Sequence, residues 1–259
     1  MIIAHLSDLH IDSHKDIIYG VNPMNNLKQV ISIMQQYDGI ELGIVTGDIT
    51  NDGLIESFKI ADEALSVLPF PIYFILGNHD DSFITNSKFK KLIFEPTFSF
   101  NSIDFISLNT VAKAEDGTNR SSGMITTDEM KRLNCFITES GNDKIIFMHH
   151  PATITNSWLD RRILMNRQIF MNTIAPSDNI LAVLSGHNHF ASDERIGDTL
   201  FSTAPSVSTS FDKDKGPFEE VYQPGFNILT IINHKCSVQT IRINKLKLNY
   251  ANPIFYDHT

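Results

Sequence analysis

Cysteine is scarce: two in 259 residues, Cys135 and Cys236, a hundred residues apart and outside any CxxC pair. That excludes a disulfide scaffold or a Cys-rich zinc module and fits a reducing compartment. Basic residues are also in deficit. Lys plus Arg total 21 against 30 Asp plus Glu, a formal net charge of −9. Broad nucleic-acid binding rests mainly on phosphate neutralisation by Lys and Arg, so a nucleic-acid polymer is a poor partner. No run of 18 uncharged apolar residues occurs, and no membrane span is expected. The opening Met1-Ile-Ile-Ala-His-Leu-Ser7 lacks the basic n-region and long apolar run of a signal peptide, so a cytoplasmic location is expected. Internal repeats and low-complexity linkers are missing as well. One domain over residues 1–259 is the expectation.

What is present is a periodic alternation. Short apolar β-rich runs alternate with longer amphipathic ones, which predicts an α/β layered fold. Ile2–Ser7, Leu42–Thr46, Ile72–Leu76, Phe105–Leu108, Ile145–Met148 and Leu181–Ser185 read as strands. Leu27, Val30, Ile31 and Met34 recur at helical spacing, and Leu54, Phe58, Ala61, Leu65 and Leu68 form a second helical face. Thr126 and Glu129 predict a capping box that starts another helix. Beyond Thr199 the pattern turns to β, with antiparallel strands expected at Gly225–Ile232 and Val238–Ile243. The stretch 208–224, rich in charge, Gly and Pro, reads as a mobile loop. Together with the apolar, patternless tail Leu246–Thr259, it gives 208–259 the look of a loop, cap and tail suited to contacts in a homo-oligomer.

Histidine is unevenly placed. Six of the ten fall in four short segments: Asp8-Leu-His10, Gly77-Asn-His-Asp80, Met148-His-His-Pro151 and Gly186-His-Asn-His189. A fifth segment, Gly47-Asp48, has the same setting, and each follows a strand candidate. Ligands of open α/β sheets bind outside the carboxyl ends of the strands, so five strand ends would deliver Asp, His and Asn to one crevice. Donors of these types without thiolate suit Zn, Mn, Fe or Co. Asp8, His10, Asp48, Asn78, His149, His187 and His189 are too many for one catalytic ion, which typically takes three protein ligands. They suffice for two ions sharing a bridging carboxylate, the arrangement of many phosphatases and nucleases. His5, His14, His234 and His258 read as strand, surface, turn and tail residues, and His150 as a pocket-shaping neighbour of His149 rather than a ligand.

The series Asp8-x-His10, Gly47-Asp48, Gly77-Asn78-His79-Asp80, His149-His-Pro and Gly186-His-x-His189 resembles the calcineurin-like metallophosphoesterase superfamily. Within it the chain is most similar to the bacterial class III cyclic-nucleotide phosphodiesterase and glycerophosphodiesterase branch. Ile18-Tyr19-Gly20 and Asn249-Tyr-Ala-Asn-Pro are closest to the latter. The resemblance implies a four-layer α/β/β/α sandwich. It also implies one metal on Asp8, His10 and His189, a second on Asn78, His149 and His187, and Asp48 bridging. His79 would serve as acid or hydrogen-bond donor, with Asp80 orienting it and Tyr19 nearby. One departure is Pro205-Ser-Val-Ser-Thr-Ser210, which lacks the further substrate-side His of the glycerophosphodiesterase. The implied activity is hydrolysis of a small phosphodiester, a glycerophosphodiester or cyclic nucleotide, by metal-activated water. The alternatives are a phosphomonoesterase or protein phosphatase of the same superfamily, or a non-catalytic metal-binding protein.

Overall fold

The computed structural model describes residues 1–115, 117–214 and 224–243. In chain order the first half comprises β1 (Ile2–Leu6), α1 (Pro23–Met34), β2 (Leu42–Thr46), α2 (Ile55–Leu65), β3 (Ile72–Ile75), β4 (Leu92–Ile93), β5 (Thr97–Phe100) and β6 (Ile103–Leu108). The second half comprises α3 (Thr127–Glu139), β7 (Asp143–Met148), α4 (Arg167–Ile174), β8 (Ile180–Ser185), β9 (Ser192–Ile196), β10 (Thr199–Thr203), β11 (Gly225–Ile232) and β12 (Lys235–Arg242). One sheet runs β12-β11-β1-β2-β3-β4 and the other β5-β6-β7-β8-β10-β9. Both are mixed. β1 to β4 are parallel, as are β6, β7, β8 and β10, while β5, β9, β11 and β12 join antiparallel.

Side-chain alternation explains the layering. Successive residues of a strand point to opposite faces, and here both faces are apolar because each is covered. In β7, Ile145 and Phe147 meet Ile3, Ile44 and Leu184 between the sheets, while Ile146 and Met148 meet Leu133 and Phe136 of α3 and Phe170 of α4. On the far side, Leu27, Val30 and Met34 of α1 and Phe58, Ala61 and Leu65 of α2 pack on Leu6, Val45 and Phe74. The order is helix, sheet, sheet, helix, as the α/β/β/α expectation required. Among the described residues no helix is long and apolar enough to cross a membrane.

Several expectations need adjusting. Thr126 caps α3 by accepting the Glu129 N–H at 3.3 Å, but the box is not reciprocal: the Glu129 carboxylate accepts the Asn109 N–H at 3.0 Å and pairs with Arg132. The start of the supposed mobile loop is packed instead, since Ser208, Thr209 and Ser210 are buried. Within the presumed cap, β11 pairs with β1 and completes the first sheet. The remainder of the loop, 215–223, and the tail with His258 lie outside the described residues.

Candidate metal centre

All five histidine- and aspartate-bearing segments emerge from the carboxyl ends of β1, β2, β3, β7 and β8. Packing them together demands an unusual backbone. Asp8, His10, Asp48, His187 and His189 all have φ between 48° and 70°, the left-handed region that non-glycine residues seldom adopt. Each such residue costs roughly 1–3 kcal/mol, and clusters of them mark functional sites. The neighbouring backbones hold them there: Asp8 N–H donates to Gly47 O and His10 N–H to Asp48 O, both at 3.0 Å. The loops also approach too closely for side chains. A Cβ on Gly77 would lie 2.1 Å from Asp48 Oδ1 and 2.4 Å from the Asp48 nitrogen. One on Gly186 would lie 1.7 Å from Ser7 Oγ and 2.8 Å from Asp8 Oδ2.

The seven donors form two nests that share a carboxylate. In the first, His10 Nε2 is 3.1 Å from His189 Nε2, and Asp8 Oδ1 is 3.3 Å from His189 Nε2 and 4.0 Å from His10 Nε2. In the second, His149 Nε2 is 3.2 Å from both Asn78 Oδ1 and His187 Nδ1. Asp48 Oδ2 stands between them, 3.8 Å from His10 Nε2 and 3.4 Å from His149 Nε2. Two ligands held at about 2.1 Å on one ion sit roughly 3–3.4 Å apart, so these spacings suit coordination. Asp8, His10, Asp48, His149, His187 and His189 are all buried.

A fit test comes from hydrogen bonds that remain unmade. Asp8 Oδ1 is buried without a hydrogen-bond partner, which is costly unless a cation satisfies it. His149 Nδ1 donates to Thr46 O and His189 Nδ1 to Thr209 O, each at 2.7 Å. Both rings are thereby fixed with Nε2 facing their nest, as ligating imidazoles need. The residues fit borderline or hard divalent cations.

Electrostatics agree. Burial alone would push the Asp48 carboxyl up, but the imidazoles of His149, His79 and His10 hold it well below the usual range. Asp8 is likewise lowered despite its burial, chiefly by His189. Burial opposes a charge on His149, yet Asp48, Asp8 and the Thr46 carbonyl raise it to about 9. The negative potential that favours a proton there favours a metal cation equally. Burial drives His10 down to about 3 and His187 well below its ordinary value.

His79 and Asp80 are placed differently from one another. His79 is half-buried with its ring 4.8 Å from that of His10, its N–H donates to Asp48 Oδ1 at 2.9 Å, and its Nδ1 donates to Asn51 O at 3.2 Å. Among the described residues no hydrogen bond or ion pair joins Asp80 to His79. Asp80 instead accepts from the N–H groups of Ile49, Thr50 and Gly77 and from Thr50 Oγ1, at 2.8–3.2 Å. The expected orienting contact is replaced by a brace between the loops after β2 and β3, and the Asn51 carbonyl orients the ring.

Other supports were invisible in the sequence because they act through backbone or through remote polar loops. Ser206 Oγ donates to Asp8 O at 2.8 Å, and Asn119 Nδ2 donates to Asn78 O at 2.8 Å. His150 lies 4.5 Å ring to ring from His187, with its Nδ1 2.8 Å from Thr110 Oγ1. His5 is buried in β1 against Thr46, whereas His14 and His234 are exposed.

Comparison with known proteins places the chain in a family. Residues 1–191 match the family model described as calcineurin-like phosphoesterase. A protein from Coxiella burnetii named "Probable cyclic nucleotide phosphodiesterase" is 33% identical over 218 residues, 82% of this chain and 85% of that one. The glycerophosphodiester phosphodiesterase GpdQ of Enterobacter lignolyticus is 22% identical, covering 99% and 95%. A dimetal phosphatase structure from Danio rerio superposes with a TM-score of 0.67 at 12% identity over 93% of this chain and 98% of the other, which speaks to fold alone. The chain therefore belongs to the calcineurin-like phosphoesterase family.

Proposed function

We propose that this chain is a phosphodiesterase of small diesters, with 3′,5′-cyclic nucleotides the favoured class, working through two divalent ions held by Asp8, His10, Asp48 and His189 and by Asp48, Asn78, His149 and His187. Mn, Fe, Zn and Co all suit these nitrogen and oxygen donors. The observation that carries the reading is Asp48 Oδ2, which lies within 4 Å of an imidazole of each nest. The name of the Coxiella burnetii relative supports the cyclic-nucleotide class.

When bound, the ions would acidify a coordinated water and neutralise charge on the phosphoryl oxygens. The chain supplies the rest. Asp48 sets the spacing of the nests through Oδ2 and, through Oδ1, fixes the backbone of His79 beside them. With Nδ1 committed to Asn51 O, His79 turns Nε2 away from that contact, and this is the atom that would hand a proton to the departing alkoxide. Asp80 keeps the loops after β2 and β3 in register, so that Asp48, Asn78 and His79 hold their positions.

The decisive experiment loads the protein with Mn²⁺, counts ions per chain, and assays cyclic AMP, glycerophosphoethanolamine and matched monoesters. Close to two ions and a preference for diesters are expected. Asp48→Asn should lower metal affinity at least as much as loss of an outer-shell partner, roughly 10–100-fold, and take diester turnover with it. A single ion in the wild type, or undiminished turnover in Asp48→Asn, would refute the bridging role. Faster turnover of monoesters would favour the phosphatase reading.

A further inference from the structure

Three aromatic side chains from three different strand-end loops meet at the rim of the first nest. Phe211 stacks on His189 with centroids 4.3 Å apart and planes 1° from parallel. Trp158 packs 5.8 Å from Phe211, and Tyr19 meets Phe211 edge-on at 6.2 Å and His10 at the same distance. None belongs to the three apolar cores.

The group is held rigidly. Trp158 Nε1 donates to Asp212 O at 3.0 Å, and Trp158 opens a helical turn whose N-terminus is fixed by a reciprocal capping box between Ser157 and Asp160. Tyr19 sits at φ 48° and Gly20 at φ 75° between Ile18 and Val21, which exchange backbone hydrogen bonds at 2.9 and 3.0 Å. Two positive φ values at the centre of such a turn mark type I′, where Asn or Gly is favoured and a large aromatic is strained. The turn keeps a partly exposed phenol ring at the edge of the metal nests, where partial burial and then the Asp48 charge push its hydroxyl up from its ordinary value. A purely structural aromatic would sit in a core; here Tyr19 is exposed and Trp158 and Phe211 are half-buried.

We infer that Tyr19, Trp158 and Phe211 form a preorganised stacking wall for a planar ring carried by the substrate, a nucleobase or an aryl group, and so select aromatic diesters over glycerol-type ones. Stacking is tolerant of ring identity, because every base has a π-face, and rigid aromatics bind with little ordering cost. This rests on the phosphodiesterase reading for the chemistry, but the binding can be observed without it.

Trp158 is the sole tryptophan of the chain, so emission excited at 295 nm reports on this wall alone. Titration of the Mn²⁺-loaded protein with 5′-AMP should quench it saturably, and glycerol 3-phosphate, which carries the same phosphate without a ring, should not. Phenyl phosphate distinguishes a general aryl site from one that prefers a base. In Phe211→Leu and Trp158→Leu, the ratio of kcat/KM for cyclic AMP over glycerophosphoethanolamine should fall roughly tenfold, through KM for cyclic AMP. Equal quenching by glycerol 3-phosphate, no quenching by 5′-AMP, or an unchanged ratio in both variants would overturn the wall. Quenching by 5′-AMP in a wild type that turns over no diester would instead overturn the activity and leave the wall standing.

Discussion

The backbone at single residues carries much of the site's design. Gly77 leaves room for Asp48, and adding one methyl at that position forces the Asp48 backbone and carboxylate aside. Gly77→Ala should therefore destabilise the fold by about 1–3 kcal/mol, as overpacking typically does, and shift the bridging oxygen. Thermal melts together with Mn²⁺ titration check both effects; a normal melt with full metal binding would show that the loop yields. For His79 the expectation concerns leaving groups. His79→Ala should slow diesters with poor leaving groups more than p-nitrophenyl diesters, and equal losses would deny it the proton. That the seven donors cluster was legible from residue types and their places behind apolar runs, the D-x-H and H-x-H pairs above all. The roles of Ser206, Thr209 and Asn119 were not, since serine, threonine and asparagine are common loop residues and what they contribute here is a hydrogen bond to or from backbone.

Elements brace the site from further out. In α2, the buried Asp62 accepts the N–H groups of Lys90, Lys91 and Leu92 at 2.8–2.9 Å and so ties the short edge strand β4 to the first sheet. Asp62→Ala would orphan three donors at once, costing about 2–4 kcal/mol. Chemical denaturation should show this with the slope of the transition unchanged; a loss below about 1 kcal/mol would mean that water replaces the carboxylate. Strand reading from sequence succeeded where strands are buried on both faces: Leu42–Thr46 and Gly225–Ile232 were bounded correctly. It missed β9, whose Ser192–Ile196 is largely exposed and lacks an apolar run, and β5, an edge strand with alternating exposure. It also missed α4, whose eight residues are too few for periodicity to emerge.

At the scale of the molecule, each nest draws on both sheets. Asp8, His10, Asp48 and Asn78 follow strands of the first, and His149, His187 and His189 follow strands of the second. Bound cations should therefore oppose unfolding of the whole. At a free metal concentration a hundred times Kd, one site adds about 2.7 kcal/mol, which for a chain of this length raises Tm by about 5–10 °C, and chelation should reverse it. The pH dependence has a definite sign. With His149 raised to about 9, its proton competes with metal at neutral pH, so affinity should climb from pH 6 towards 9. Calorimetry in buffers of differing ionisation enthalpy should find about one proton released from this group at pH 7.5; no release would place His149 outside the site.

The interleaving of donors along the chain would also date the arrival of ions at the proposed nests. Neither nest is complete until the His187-Asn-His189 segment has been synthesised and the second sheet has closed on the first. A ribosome-bound chain ending before that point would hold only partial chelates, and loading would be one of the last events in the protein's maturation.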